Sequence, residues 1–102
     1  MTVVVLLYTG IDNMFETKMV LKNLTDWQSL GLALGLLYPT LEKIEVEEFR
    51  AIEKCKTKMI AAWLQQQDNV SKKGVPAWSV LQTALSKIGE IKLSDEILDQ
   101  YM

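Results

Sequence analysis

The chain has 102 residues, which is the size of a single domain, and about half of them are apolar, enough for one modest core. It has no histidine, the usual general base and zinc ligand, and its formal net charge of -2 does not favour nucleic-acid binding. The one cysteine excludes an intramolecular disulfide and is compatible with a reducing compartment, and no run approaches the roughly 20 apolar residues of a membrane span.

Residues 1–11 are predicted to form a separate apolar segment ahead of a helical domain that spans residues 12–102. The β-branched run at positions 3–8, followed by Thr9 and Gly10, is typical of a short strand. It lacks the basic start and the small-residue cleavage site of a signal peptide. No other segment predicts a partner strand, so three outcomes are open for it: packing on the bundle, disorder, or an extra turn before the first helix.

The first helix is expected from residue 13 to about residue 24, with Asp12 as its N-cap. Phe15, Met19 and residues 21–24 are expected to face the core, although this segment lacks a regular leucine pattern.

Asp26 and Trp27 open the next, short helix. Thr25 and Gln28 have the spacing of a capping box, in which each side chain satisfies a free backbone amide of the first turn. Trp27, Leu30 and the following Leu34 fall on one face of this helix.

A proline corner follows. Tyr38 precedes Pro39 and is disfavoured in helical conformation, whereas Pro39 suits the first position of a new helix. Leu41, Ile44 and Val46 would form the apolar side of that second short helix.

A long amphipathic helix is predicted from about residue 46 to residue 66. Its apolar positions recur at steps of three and four residues, at Phe49, Ile52, Cys55, Met59, Ile60 and Trp63. The glutamine-rich stretch at 65–69 ends the periodicity, and residues 71–74 are expected to form a polar loop.

Two further helices complete the domain. Val75 and Pro76 are expected to start the first of them, and Gly89 is a natural residue to end it. The last helix, at residues 91–101, is expected to bury Ile97 and Leu98. The apolar stripe of the first is predicted at Ala77, Val80 or Leu81, Ala84, Leu85 and Ile88. Together these helices predict an all-α core formed by Trp27, Leu30, Leu34, Ile44, Ile52, Cys55, Met59, Trp63, Trp78, Leu81, Leu85 and Ile88.

An ordered series of residues resembles the death domain, a member of the death-fold superfamily. The series begins at about residue 21 and runs to Ile97. It comprises Asp26-Trp27, Leu30, Leu34-Gly35-Leu36, Leu41-x-x-Ile44, Arg50, Cys55, Met59, Trp63-Leu64 and Ala77-Trp78-x-x-Leu81-x-x-Ala84-Leu85-x-x-Ile88-Gly89. Within the death fold, a caspase-recruitment or pyrin-like domain is the nearer competitor, but the pattern at Trp63 and Trp78 favours a death domain.

The resemblance implies a six-helix antiparallel bundle of the death-fold type. It further implies a cytoplasmic adaptor-type module that binds other death domains, itself or a related one, in apoptotic or innate-immune signalling. Such a module has no catalytic activity, cofactor or metal and neither binds nucleic acid nor inserts into a membrane.

The residues themselves offer little catalytic chemistry. Cys55, with Ile52 and Met59 as helical neighbours, is expected to be a buried structural thiol because reactive cysteines need an exposed, electropositive site. The glutamates at 42–48 lack the spacing of a calcium loop. Gly31 and Gly35 have the small-residue spacing of membrane helix pairs, but the run is too short to span, so close helix packing and a helix cap are expected.

Surface charge is the remaining functional signal. An acidic group, Glu42, Glu45, Glu47 and Glu48, precedes a basic group, Lys54, Lys56 and Lys58. If both signs lie on different faces, such domains can attract one another head to tail, which gives rings or open helices. By resemblance, one contact would join Gln67, Asp68, Lys72 and Lys73 to Glu90, Asp95 and Glu96.

Two other interpretations stay open at this point. The charges could simply solvate the surface. The short helices around a corner also mimic a helix-turn-helix, so a small helical nucleic-acid-binding domain is the alternative from a different functional class. A salt-dependent DNA-binding assay distinguishes that alternative.

Overall fold

The computed structural model describes residues 14–102, with Phe15 described by its backbone only. They form six α-helices and no strand, so the predicted all-α class is confirmed for this part of the chain. The helices are α1 (Met14–Val20), α2 (Trp27–Ala33), α3 (Tyr38–Glu47), α4 (Ile52–Leu64), α5 (Trp78–Lys87) and α6 (Ile91–Tyr101). A 3₁₀ turn at Val70–Lys73 lies between α4 and α5. The expectations for residues 1–11, the Asp12 cap and the Phe15 side chain lie outside what is described.

Helix α4 is the centre of the bundle. It packs against α1, α2 and α3, while α5 and α6 form the most extensive helix pair and α2 bridges the two groups. Trp63 of α4 is completely buried. At the far side, the Trp78 ring stacks on the Tyr101 ring at a centroid separation of 3.8 Å and joins α5 to the end of α6.

The start of α2 differs from the predicted capping box. The N-cap is Asp26, whose carboxylate accepts a hydrogen bond from the Ser29 backbone N–H at 3.2 Å. Thr25 therefore lies one residue too early, and Gln28 falls at the second helical position instead of the third. An aspartate is as good a cap as a threonine, so the nearer side chain takes the role.

The end of α2 agrees with the prediction for its two glycines. Gly31 is buried against α3, and a Cβ atom there would lie 2.7 Å from the Leu41 side chain, so α2 and α3 pack closely. Gly35 follows the helix with a φ of +106°, and the Leu36 N–H donates to the Gly31 carbonyl at 3.0 Å. This is the Schellman type of helix end.

Both proline-marked starts are displaced by a residue or more. In α3 the first helical residue is Tyr38, capped by Leu37, and Pro39 takes the second position. In α5 the helix begins only at Trp78, because Ala77 is extended, and Pro76 lies before it. Proline is tolerated in the first turn, where its missing N–H has no helical partner, and in the extended residues before a helix, so it does not fix the first helical residue.

The long helix predicted from residue 46 is wrong at its start. Helix α3 ends at Glu47 and α4 begins at Ile52. Between them the chain turns through Phe49 and Arg50, with φ values of 53° and 61°. The apolar periodicity continued through this break, because a turn of four residues leaves the spacing of apolar side chains nearly unchanged.

Burial corrects several predicted core positions near helix ends. Ile52, placed in the core, is 46% exposed, and Phe49 is 92% exposed. Ile88 packs against the core but is only half-buried. Val46, Met19 and Leu98 are also exposed. The other predicted core residues are buried, including the three tryptophans, and the structure adds Val70 and Leu93, which the sequence pattern missed.

Trp63 gives a direct test of this packing. Replacing Trp63 by Ala should lower the free energy of unfolding by about 3–5 kcal/mol, because a large side chain is lost from a closed core. The indole N–H has no acceptor among the described residues, so Trp63→Phe should lose clearly less. Urea unfolding of both variants measures this. A thermal midpoint for Trp63→Ala within about 1–2 °C of the parent would contradict the burial of Trp63.

Candidate protein-interaction surfaces

Two loops that are distant in sequence are joined by hydrogen bonds beside α5. The Asn69 N–H donates to the Gly35 carbonyl at 3.0 Å, and the Leu37 N–H donates to the Asp68 carboxylate at 2.9 Å. Gly35 permits the approach, since a Cβ atom there would lie 2.9 Å from the backbone of Asn69 and Val70. The completely buried Val70 then anchors the 3₁₀ turn.

This junction presents the predicted basic residues. Lys72 and Lys73 are exposed on the 3₁₀ turn, where a polar loop was expected. Of the two residues expected beside them, Asp68 is engaged in the junction and Gln67 donates its side-chain amide to Gln65 at 3.0 Å. The lysine pair, called the basic surface below, therefore lies on a turn whose backbone is held in place by hydrogen bonds and by the buried Val70.

The acidic residues near α6 face solvent in part. Asp95 and Glu96 are exposed and Glu90, which caps α6, is half-buried. Between them Ser94 is buried and accepts a hydrogen bond from the Gln82 side chain of α5 at 2.7 Å. Packing of Ser94 against α5 leaves Asp95 and Glu96 turned outward. We call Glu90, Asp95 and Glu96 the α6 acidic surface.

The α3 glutamates and the α4 lysines do not form two separate faces. Glu48 lies 4.0 Å from Lys58, so the acidic and basic groups meet at this pair. Glu47 similarly lies 4.0 Å from Lys43. The exposed members of the two groups are Glu42, Glu47, Lys54 and Lys58, whereas Glu45 and Glu48 are half-buried.

Lys56 is not exposed with the other α4 lysines, which corrects its assignment to the α4 basic group. Its side chain is 4% exposed, and its ammonium donates to the carbonyls of Leu21 and Lys22 at 2.9 and 3.0 Å. Glu53 supplies the counter-charge at 3.0 Å. A buried ammonium is stable only with such partners. Lys56 thus satisfies the carbonyls that follow α1 and joins that segment to α4.

Cys55 is 1% exposed, so the expected buried thiol is confirmed. Burial raises the pKa of the Cys55 thiol above its ordinary value, and the negative charges of Glu45 and Glu48 raise this pKa further. Both effects disfavour the thiolate, which is the reactive form.

A cleft of about 220 Å³, called the α5 cleft below, opens beside the basic surface. Its apolar wall is formed by Ala33, Val80 and Ala84. Lys73, Thr83 and Lys87 line its polar side, and no acidic residue contributes to it. No pattern in the sequence indicates this cleft, because its residues come from α2, the 3₁₀ turn and α5.

Within residues 14–102 no helix has the length and apolar content needed to cross a bilayer. Over the same range, no three acidic or cysteine side chains are arranged to hold a metal ion.

Comparison with known proteins adds no assignment. No protein-family model matches the chain, no curated protein matches it, and no solved structure matches it.

Removal of the Lys56 ammonium should destabilise the bundle. In Lys56→Met the Lys22 carbonyl loses its side-chain donor and the Leu21 carbonyl keeps only the Leu24 N–H, at a cost of about 1–3 kcal/mol in unfolding free energy. The matched control is Lys54→Met on the same helix, whose exposed side chain should change stability by less than about 0.5 kcal/mol. Equal stability of the two variants in urea unfolding would show that the hydrogen bonds of Lys56 do not stabilise the bundle.

Cys55 should react slowly with a thiol reagent in the folded protein and rapidly in denaturant at the same pH. Burial blocks the reagent, and the raised pKa lowers the thiolate fraction. Following the reaction by absorbance measures both rates. Similar rates in the two conditions would place the thiol at the surface.

Proposed function

We propose that this chain is a non-catalytic protein-interaction module of the death-domain type, which associates with other death domains, itself or a relative, in cytoplasmic signalling. The supporting observation is the opposite charge of two exposed surfaces on separate elements. The basic surface lies on the turn before α5, and the α6 acidic surface lies beyond it.

The rigidity of the basic surface supports its use in recognition. Lys72 and Lys73 are carried by a 3₁₀ turn whose neighbours Asn69 and Val70 are fixed by the contact with Gly35. A turn held by backbone hydrogen bonds and a buried side chain loses little backbone conformational entropy on binding. Charge complementarity between such surfaces steers the encounter and fixes its register.

The death-fold assignment itself rests on the sequence resemblance. The helical boundaries agree with it in number, since six helices follow one another over residues 14–101. The buried tryptophans at the start of α2, near the end of α4 and at the start of α5 occupy the positions on which the resemblance depends. These observations support the proposal that the bundle is of the death-fold type.

Association is expected to be weak for each contact and cumulative. An exposed ion pair contributes about 0–1 kcal/mol. Several pairs per interface and repeated interfaces are therefore needed, and screening by salt should dissolve the assembly.

Charge reversal tests the proposed contact. Lys72→Glu with Lys73→Glu should abolish self-association and leave the helical content and melting temperature nearly unchanged, because both side chains are exposed. Adding Glu90→Lys and Glu96→Lys in the same chain should partly restore association by re-creating opposite charges. Light scattering at low salt on the parent and on each variant is the measurement.

The outcomes separate the parts of the proposal. A monomeric parent at high concentration and low salt rules out self-assembly and leaves binding to a different death domain, which a pull-down with candidate domains then tests. A parent that assembles but does not respond to the reversals places the interface elsewhere.

A further inference from the structure

Phe49, between α3 and α4, combines two unfavourable features. Its side chain is 92% exposed, although it is one of the most apolar side chains in the chain. Its backbone has a φ of 53°, in the left-handed region that residues with a Cβ atom seldom occupy. The Phe49 N–H donates to the Val46 carbonyl at 3.2 Å and the Arg50 N–H to the Glu45 carbonyl at 2.9 Å. This is the helix end at which glycine is preferred.

The same chain has glycine at two equivalent helix ends. Gly35 after α2 and Gly89 after α5 have φ values of 106° and 89° and make the corresponding hydrogen bonds. A glycine at position 49 would relieve the backbone strain and remove an exposed ring from water. Phenylalanine at this position is thus unfavourable for the fold. A residue that contradicts the local backbone preference is characteristic of a functional position.

The surroundings of Phe49 define the chemistry of a partner. Val46 and Ile52, on either side in sequence, are 67% and 46% exposed and extend the apolar surface. Between positions 42 and 50 four glutamates outnumber one lysine and one arginine, so this segment carries a net negative charge, although Glu47 pairs with Lys43 and Glu48 with Lys58 of α4. The complementary site would therefore be an apolar hollow with a basic rim.

The α5 cleft has these properties. Ala33, Val80 and Ala84 offer apolar surface, and Lys73 and Lys87 supply positive charge without an acidic neighbour in the lining. Its volume of about 220 Å³ exceeds the roughly 150 Å³ of an engineered cavity that admits benzene. Because the cleft is open to solvent, it can seat one face of a phenyl ring without enclosing it.

We infer that Phe49 of one copy inserts into the α5 cleft of a second copy, with the α3 glutamates facing Lys73 and Lys87. The contact is head to tail, so a pair of copies retains one unused Phe49 and one unused cleft, and chains can grow. This inference rests on the proposed function and adds a contact distinct from the one between the basic surface and the α6 acidic surface. Its cleft includes Lys73 but not Lys72.

Phe49→Gly is the decisive variant because stability and association should change in opposite directions. Removal of the strain should raise the melting temperature by about 3–5 °C, while loss of the buried aromatic anchor should weaken self-association at least about tenfold. Light scattering over a concentration series at low salt measures the second effect, and circular dichroism measures the first.

The chain provides a matched control at the end of α4. Gln66 has a φ of 58°, is exposed, and its N–H donates to the Trp63 carbonyl at 2.9 Å in the same kind of helix end. Gln66→Gly should raise the melting temperature similarly and leave association unchanged. Equal loss of association in both glycine variants would overturn the inference, because a general effect of glycine would then explain it.

A mixing experiment tests the head-to-tail geometry. Thr83→Glu with Lys87→Glu disables the α5 cleft through exposed side chains and leaves Phe49, Lys72 and Lys73 intact. The Phe49→Gly copy keeps its cleft, and the cleft variant keeps its Phe49. Both variants keep the contact between the basic surface and the α6 acidic surface, so each alone should associate at least about tenfold more weakly than the parent. A 1:1 mixture should associate more strongly than either variant alone, because one Phe49 then meets one intact cleft. A mixture that associates no more strongly than either variant alone, while the parent assembles, would overturn the inference.

The experiments can refute the two proposed contacts independently of each other. If the parent assembles and responds to reversal of the basic and α6 acidic surfaces but not to Phe49→Gly, the inference is wrong and the proposed function stands. If Phe49→Gly and the mixture behave as expected but the α6 reversal restores nothing, the cleft contact stands alone. A parent that remains monomeric at high concentration and low salt overturns the assignment of a second copy as the partner.

Discussion

Burial of the inner face of α4 is the constraint on which the rest of the structure depends. Trp63, Met59 and Cys55 lie on that face, almost fully removed from water, and three other helices pack against α4. Burial of a large aromatic side chain supplies much of the free energy available to a domain of this size. Helices α2 and α3 are too short to be stable alone, so they take their positions from this contact.

Polar interactions complement the apolar packing, two of them at points where helices end and one between two helices. Lys56 satisfies carbonyls after α1, Asp68 satisfies the amide before α3, and Ser94 pairs with Gln82 between α5 and α6. Each partner pair is far apart in sequence or lies across a helix interface. These contacts fix how the helices meet, and so they determine which charged side chains remain free for a partner.

Two helix ends of the same kind, at Gly35 and at Phe49, carry their residues for different reasons. Where Gly35 lies, the backbone of Asn69 approaches so closely that no side chain fits, and glycine serves the fold. At Phe49 the same kind of turn carries an exposed aromatic ring. The first position is explained by packing within the chain. The second has no such explanation among the described contacts, which is why it directs attention to a partner.

The sequence by itself determined the helical class, the buried face of α4, the tryptophan core and the terminal helix, because apolar spacing of three and four residues reports directly on a buried helical face. It also identified Lys72, Lys73, Asp95 and Glu96 as exposed charges. Only the tertiary structure decided that residues 48–51 break the long helix and that Lys56 is buried. It also decided that the Asp68 carboxylate accepts a hydrogen bond from the Leu37 backbone N–H. The α5 cleft likewise depends on elements brought together from separate segments. Periodicity describes one helix at a time, whereas the burial of a charge or the shape of a cleft depends on which other helix lies opposite.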